Sequence, residues 1–188
     1  MADESSQPPA PSQPAGQGSG AAPALDPVEA LLQSGVTFRR IGKDGTRESE
    51  HQIIRFGAGA REYALSIEAV ERTERVPMVT PVPRSPRFVR GVANLRGGVV
   101  CVLDLAELLE GEATLDPKCL LIVVNASRRV AFLSHSLPDF QRVTQAEQIA
   151  VPAGREDVYH GLIERDEVLI GVLDPSRLLD LVERRMQG

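Results

Sequence analysis

Two stretches of this chain, Gly91–Leu109 and Gly161–Leu179, share one layout. Each opens on a glycine, carries a Val-Leu-Asp (Val102-Leu103-Asp104 and Val172-Leu173-Asp174), and closes on a double leucine. The correspondence extends upstream. Ile53-Ile54 parallels Leu121-Ile122, Tyr63-Ala64-Leu65 parallels Val130-Ala131-Phe132, and Val82-Pro83 parallels Val151-Pro152, with an offset that drifts only from 67 to 70 residues. A diverged duplication on this scale predicts two similar small modules and a groove between them, the kind of place where ligands and partners bind.

The length, 188 residues, fits one domain or two small ones. Trp is absent and aromatic residues make up only 4%, so Val, Leu and Ile must supply the core. A formal charge of −5 argues against general nucleic-acid affinity. Asp3 and Glu4 stand at an N-terminus with no apolar stretch behind them, so no secretory signal is expected, and no apolar run is long enough to span a bilayer. Cys101 and Cys119 lie in apolar surroundings without C-x-x-C or His spacing, and read as buried reduced thiols of a cytoplasmic protein. Without secretion, the sequon Asn125-Ala126-Ser127 has no meaning.

Met1–Ala24 is almost entirely Pro, Gly, Ser, Gln and Ala. Such a segment buries too little apolar surface to offset its ordering entropy, so a disordered tail is expected over 1–24. A short helix and linker are expected over 25–50: Asp26 suits the N-cap, Pro27 the first helical position and Glu29 a capping box. Val28, Leu31 and Leu32 form its apolar stripe, and Gly35 is a natural stop. Arg39–Glu50 reads as a charged linker or exposed hairpin.

From His51 the signal turns to β. Gln52–Phe56 and Glu62–Ile67 read as strands about Ala58-Gly59-Ala60, and the prolines of Val79–Pro86 keep that connection extended. Gly91–Arg96 and Val99–Asp104 form a hairpin about Gly97-Gly98, with Val99–Leu103 apolar enough to be covered on both faces. Cys119–Val124 and Val130–Leu133 flank the turn Asn125–Arg129, and Tyr159–Glu164 and Val168–Leu173 flank Arg165-Asp166. Asp104 and Asp174 each end a strand, which invites a catalytic reading, but each also precedes a short helix, Leu105–Leu109 or Pro175–Val182. An N-cap role, with Glu107 completing a capping box for Asp104, is the better account. Many short strands between Gly, Pro and Asn turns indicate small β-barrels, with a first subdomain near 51–112 and a second near 118–184.

Catalytic chemistry finds little support. Gly57-Ala58-Gly59 lacks the downstream helix of a dinucleotide site. His51, His135 and His160 are scattered with no partner cysteine, so no metal or other cofactor is expected. A hydrolase built on Ser134, His135 or Cys101 is the rival from another class, but sequential neighbours on a strand point to opposite faces and no nucleophile elbow is present. Six arginines (Arg72, Arg75, Arg84, Arg87, Arg90 and Arg96) fall within 25 residues. Most suit a solvated face. Arg96, at a strand end beside two glycines, suits bidentate recognition of a partner. An RNA-binding barrel using the arginine stretch is a further alternative, weakened by the acidic total and the lack of interleaved aromatics.

The run Phe88-Val89-Arg90-Gly91-Val92-Ala93-Asn94-Leu95-Arg96-Gly97, followed by Val99-Val100-Cys101-Val102-Leu103-Asp104-Leu105, resembles the CheW family of bacterial chemotaxis adaptors. The strand around Tyr63–Ile67, Val70 and Val79-Thr80-Pro81-Val82-Pro83 extend the resemblance, which covers about Gln52 to Leu181. It implies a mainly β fold of two SH3-like small β-barrel subdomains packed together, with short capping helices. It also implies a non-catalytic, cytoplasmic adaptor recruited to receptor–kinase arrays, coupling the cytoplasmic tip of methyl-accepting chemoreceptors to the regulatory domain of a CheA-type histidine kinase. An array-forming scaffold that binds receptors or other CheW-like proteins without the kinase is the alternative within the same class. No membrane insertion or nucleic-acid partner is implied.

By the same resemblance, Asn94, Leu95 and Arg96 line the receptor groove, joined by Leu133 and Leu137 of the second module. Val70 and Gly91 match positions of partner contact, with Arg72, Arg90 and Gly97 beside them. Gly91 would admit a close backbone approach. The chain departs from the family pattern after Val70, where Glu71-Arg72-Thr73 replaces an acidic residue and an aliphatic pair. Cys101 replaces a common proline, Leu133–Leu137 lacks the usual acidic residue, and the N-terminal tail is additional. These departures suggest a dedicated paralogue matched to its own kinase, in a bacterium with several chemosensory systems.

Overall fold

A computed structural model describes residues 50–144, 147–151 and 158–187. The tail expected over 1–24 and the helix expected after Asp26 lie outside the described residues. The first repeat supplies strands β1 (Glu50–Ala58), β2 (Arg61–Ser66), β3 (Val70–Arg75), β4 (Val89–Leu95) and β5 (Gly98–Leu103), then helix α1 (Leu105–Leu109). The second supplies β6 (Cys119–Asn125), β7 (Arg128–Ser134), β8 (Asp139–Thr144), β9 (Gln148–Ile149), β10 (Tyr159–Arg165) and β11 (Val168–Leu173), then α2 (Pro175–Gln187).

The fold is mainly β, in two small subdomains, but the sheets are not the two halves of the chain. One sheet runs β8-β1-β2-β11-β10-β9 and the other β3-β6-β7-β5-β4. Each therefore takes the first two strands of one repeat and the last strands of the other. The division expected between 112 and 118 marks the junction of the repeats and does not coincide with the sheets. Both sheets are joined across the repeats by a parallel pair in equivalent register: Val102 opposite Ala131, and Val172 opposite Ala64. A β-bulge recurs at the same place in both hairpins, between Val89 and Gly91 and between Tyr159 and Gly161.

Strand register also corrects the alignment of the repeats. Ile54 faces Leu65 while Leu121 faces Phe132, so Ile54 corresponds to Leu121 and the offset there is 67 residues. A slip of one residue would move every side chain to the opposite face. Ile53 and Leu120 point into the small cores of their own sheets, whereas Ile54 and Leu121 enter a larger core. That shared core takes residues of both sheets and both helices, among them Phe56, Leu65, Leu103, Phe132, Leu173 and Leu178. Burying one continuous apolar layer between the two sheets is what holds the subdomains together.

In each sheet, contacts outside the main strand ladder link strands that are not neighbours in it. In one, Thr80 forms an isolated bridge to Val92, and the Arg96 Nε lies 3.2 Å from the Glu74 carboxylate on β3. In the other, Arg165 on β10 donates to the Arg142 carbonyl on β8 at 3.0 Å. Strands β3, β8 and β9 escape a reading based on alternation because they are short or charged, and β3 and β8 each bury one residue, Val70 and Val143. Charged side chains suit such edges, since an apolar edge strand would pair with other chains. Glu50 begins β1 and does not end the linker, and α2 runs to Gln187, past the expected Val182.

Both aspartates are caps. The Asp174 carboxylate accepts from the backbone N–H groups of Ser176 and Arg177 at 2.9 and 3.0 Å. Asp104 is fully buried and accepts from Glu107 N at 3.4 Å, from Thr114 N at 2.8 Å and from the Thr114 hydroxyl at 2.7 Å. The reciprocal half of the capping box is absent: the Asp104 N–H donates to the Phe88 carbonyl, and Glu107 pairs with Arg87.

Candidate partner-binding surface

Strand β4 alternates buried and outward residues after its bulge, with Ala93 and Leu95 inward and Asn94 exposed. The hairpin turn falls at Arg96-Gly97, one residue earlier than expected, because Arg96 itself takes a left-handed conformation (φ 52°) followed by Gly97 (φ 83°). Asn94 fixes the turn by accepting the Gly97 N–H at 3.0 Å. The second hairpin turns at Asp166-Glu167, likewise one residue away from the expectation, with φ of 52° and 63°. Both are two-residue turns of the kind that matches the twist of their strands.

Arg96 is 77% exposed, yet held: its Nε faces Glu74, which also accepts from Arg72 Nε at 2.5 Å. Arg72 pairs in turn with Glu71, and Glu71 lies 2.9 Å from Arg129 on β7. Glu71 reaches both arginines because a bulge between Val70 and Arg72 lifts it out of register with β6. The result is an alternating chain, Arg96–Glu74–Arg72–Glu71–Arg129, which spreads charge across β3, β7 and the β4–β5 turn. With three arginines to two glutamates it keeps a positive excess and a preset guanidinium at its exposed end.

Leu137 is 76% exposed and lines a groove of about 590 Å³ with Pro138, Thr73, Glu74, Arg75 and Val76. Glu74 thus joins Arg72, Arg96 and Leu137 in one neighbourhood. Leu95 and Leu133 do not reach that surface; both are buried in the small core of the β3-β6-β7-β5-β4 sheet. Val70 is buried in the shared core, and Arg90 is exposed at the far end of β4 from the turn. Gly91 contacts the chain itself: a Cβ there would stand 2.2 Å from the Thr80 carbonyl oxygen. Val99, expected inside a strand covered on both faces, is 73% exposed opposite Asn94. Sequence reasoning missed Glu74 and Arg129. The i, i+2 spacing of Arg72 and Glu74 would signal a shared strand face, but only once β3 is known to be a strand.

The residues of the rival readings are structurally engaged. Ser134 is fully buried and donates to carbonyls of Gly57 and Ser136, while the Ser136 hydroxyl accepts from Gly57 N at 2.8 Å. His135 packs so tightly against Gly57 that a Cβ there would lie 2.4 Å from its ring. This cluster pins β1 to the end of β7. Burial pushes both cysteine thiols up, away from the thiolate a nucleophile requires. Within the arginine stretch, Arg72, Arg87 and Arg96 each pair with a glutamate, which weakens it as a phosphate-binding patch. Among the described residues no group of three or more His, Cys, Asp or Glu is placed to hold a metal ion, and no helix is long and apolar enough to cross a membrane.

Comparison with known proteins bears on the same fold. Residues 52–183 match the CheW-like domain family. Protein FrzA of Myxococcus xanthus is 29% identical over 143 residues, covering 72% of this chain and 89% of that protein. The chemotaxis protein CheW of Thermotoga maritima is 28% identical over 137 residues, covering 70% and 89% respectively. A probable chemotaxis protein CheW of Rhizobium etli is 31% identical over 143 residues, covering 72% and 92%. Among solved structures, the scaffolding protein TtCheW of Thermoanaerobacter tengcongensis superposes with a TM-score of 0.60 at 20% identity, over 67% of this chain and 90% of that one.

Proposed function

The chain belongs to the CheW-like domain family, and on that footing we propose that it is a non-catalytic, cytoplasmic adaptor coupling the cytoplasmic tip of a chemoreceptor to the regulatory domain of a CheA-type histidine kinase. The observation that carries the receptor half is the Asn94–Gly97 turn: Arg96 projects from a two-residue turn locked by Asn94 and is steadied by Glu74. A planar donor held in place loses little conformational freedom on binding a carboxylate or helix-end carbonyls. Around it, Leu137 and the exposed Val99 offer apolar contacts to an amphipathic helical tip. Leu95 and Leu133 support this surface from beneath, and Gly91 and Val70 set its frame.

The test is a titration of the cognate receptor's cytoplasmic fragment against Arg96→Glu, with circular dichroism as the check on folding. Loss of binding, with the fold and thermal midpoint retained, is expected. Wild-type affinity in the variant would overturn the receptor half of the proposal. One observation favours a second reading, the scaffold that binds receptors without a kinase. Arg72 stands where the family carries an aliphatic residue, and its charge is consumed by Glu71 and Glu74. Titration with a CheA regulatory domain separates the two, since only the adaptor binds it.

A further inference from the structure

The groove beside β3 is lined by both apolar and charged side chains. Val76, Leu137 and Pro138 supply the apolar part, and the exposed Arg75 and Lys118 supply positive charge. Glu74 also lines it, but its carboxylate is already shared between Arg72 and Arg96. Leu137 is 76% exposed, one of several large apolar side chains left open to solvent among the described residues, and it lies in this groove. We propose that the occupant of this groove in the free protein is the chain's own segment Asp26–Gln33, with Val28, Leu31 and Leu32 laid on Val76, Leu137 and Pro138.

Charge supports this choice. Residues 1–33 contain Asp3, Glu4, Asp26 and Glu29 and no lysine or arginine. Asp26 and Glu29 flank the apolar stripe and complement Arg75 and Lys118. A second groove, near Gly59 and Leu115, shares Lys118 but adds Glu112 and Asp116, so it is less favourable to an acidic segment than the groove at Arg75. Val28, Leu31 and Leu32 recur at helix period, and a small apolar face of that kind is stabilised chiefly by finding a surface to bury against.

Chain length supports it as well. The described chain begins at Glu50, which pairs with Thr144 at the far end of β8 from Leu137. Leu137 lies seven residues before Thr144, five of those steps within β8, a span of at most roughly 23 Å at about 3.3 Å per residue. Ser34 to Ser49 are 16 residues, and a flexible linker of that length has an r.m.s. end-to-end distance of about 22 Å. Effective concentration is greatest when linker and span match, and it then reaches the millimolar range. A contact with only millimolar intrinsic affinity would therefore be about half formed. A shallow groove is sufficient under those conditions.

The contact can be read in the full chain without any partner, by comparing amide NMR shifts of the wild type with those of Leu31→Asp/Leu32→Asp. The expected result is movement of the Val76, Lys118 and Leu137 signals, equal in size at two protein concentrations about tenfold apart. Leu137→Asp, at an exposed site that does not threaten the core, should shift residues 28–32 in return. Changes confined to the sequence neighbours of Leu31 would overturn the proposal. Shifts that appear only at the higher concentration would also overturn it, by assigning the groove to a second copy. The regulatory consequence rests on the adaptor reading: releasing the segment should raise receptor affinity about twofold, as follows from a half-covered site. A receptor that binds neither form would count against the adaptor reading and leave the shift comparison standing.

Discussion

A Cβ placed on Gly91 would stand 2.2 Å from the carbonyl oxygen of Thr80, and Gly91 holds a φ of +142° that other residues rarely adopt. The glycine in the middle of the proposed partner-binding motif thus answers to its own chain. It lets the proline-rich segment before β4 lie against that strand, where Thr80 and Val92 exchange backbone hydrogen bonds at 2.8 and 2.9 Å. Gly91→Ala should destabilise the protein by about 2–4 kcal/mol, combining backbone strain with the displaced contact. Chemical denaturation checks the magnitude. Partner affinity measured well below the melting point should fall much less than stability does, because the surface at Arg96 is left in place.

Arg96 allows the opposite separation. A non-glycine residue in the left-handed region carries strain of about 1 kcal/mol, and glycine removes it. Arg96→Gly would create a Gly-Gly turn and lose only an exposed ion pair to Glu74, a contact of small net value. Its thermal midpoint should equal or exceed that of the wild type while receptor binding is lost. A midpoint several degrees lower would show that the Glu74 pairing outweighs the strain.

The two helix-capping aspartates should differ sharply despite their equivalence in the repeat. Asp174 is partly exposed and caps two backbone N–H groups, so Asp174→Ala should lose about 1 kcal/mol. Asp104 is fully buried and also anchors Thr114 through both backbone and hydroxyl. Asp104→Ala strands those donors away from water, and a loss of about 3 kcal/mol or more is expected. Paired urea titrations of the two variants decide it.

The cysteines make stability depend on alkaline pH. Burial raises the folded thiols above the usual value, with a hydrogen bond from Ser134 partly offsetting this at Cys119. A raised folded value means that the native state keeps its proton longer than the unfolded chain does. The contribution is complete below the unfolded thiol range and declines as pH rises through it toward the folded value. The urea midpoint should therefore fall above about pH 9, and fall less in Cys101→Ala. In the same way, Cys119 should resist alkylation at neutral pH until the protein is unfolded.

How much of this was legible in the sequence depends on the kind of information each feature needs. Val-Leu-Asp, the glycines and the paired leucines are local signals for strand, bulge and cap, and all three recur where the repeat places them. The pairing of β2 with β11 and of β5 with β7 is non-local; alternation within one strand says nothing about which strand lies beside it. Strand β3 was hidden for a different reason, since Val-Glu-Arg-Thr-Glu-Arg buries a single side chain and carries its stability in charge pairs. At the candidate site the prominence of Arg96 was readable from a strand end beside glycines, whereas Asn94 entered only through the resemblance to the CheW family. The burial of Leu95 and Leu133 was not, because leucines on a short strand look alike whether they face a groove or a core.

The exchanged architecture makes a strong prediction about the chain cut in two. If each repeat were a self-contained barrel, opening the chain between Glu112 and Lys118 would leave two folded pieces. Here each sheet needs β1 and β2 of one repeat, or β6 and β7 of the other, beside strands from the opposite half. The larger core between the sheets likewise draws Leu103 and Phe56 from one half and Phe132 and Leu173 from the other. Separate fragments ending and beginning in that loop would each expose the apolar faces of open sheets, and neither would hold enough core to fold alone. Far-UV circular dichroism should therefore show each fragment as largely unfolded. Mixing them should restore the β spectrum with a midpoint that rises with concentration, as binding and folding become one equilibrium. A folded first fragment on its own would mean that β1–β5 can pair differently from the arrangement described, and the exchange would then be one of two solutions open to the sequence.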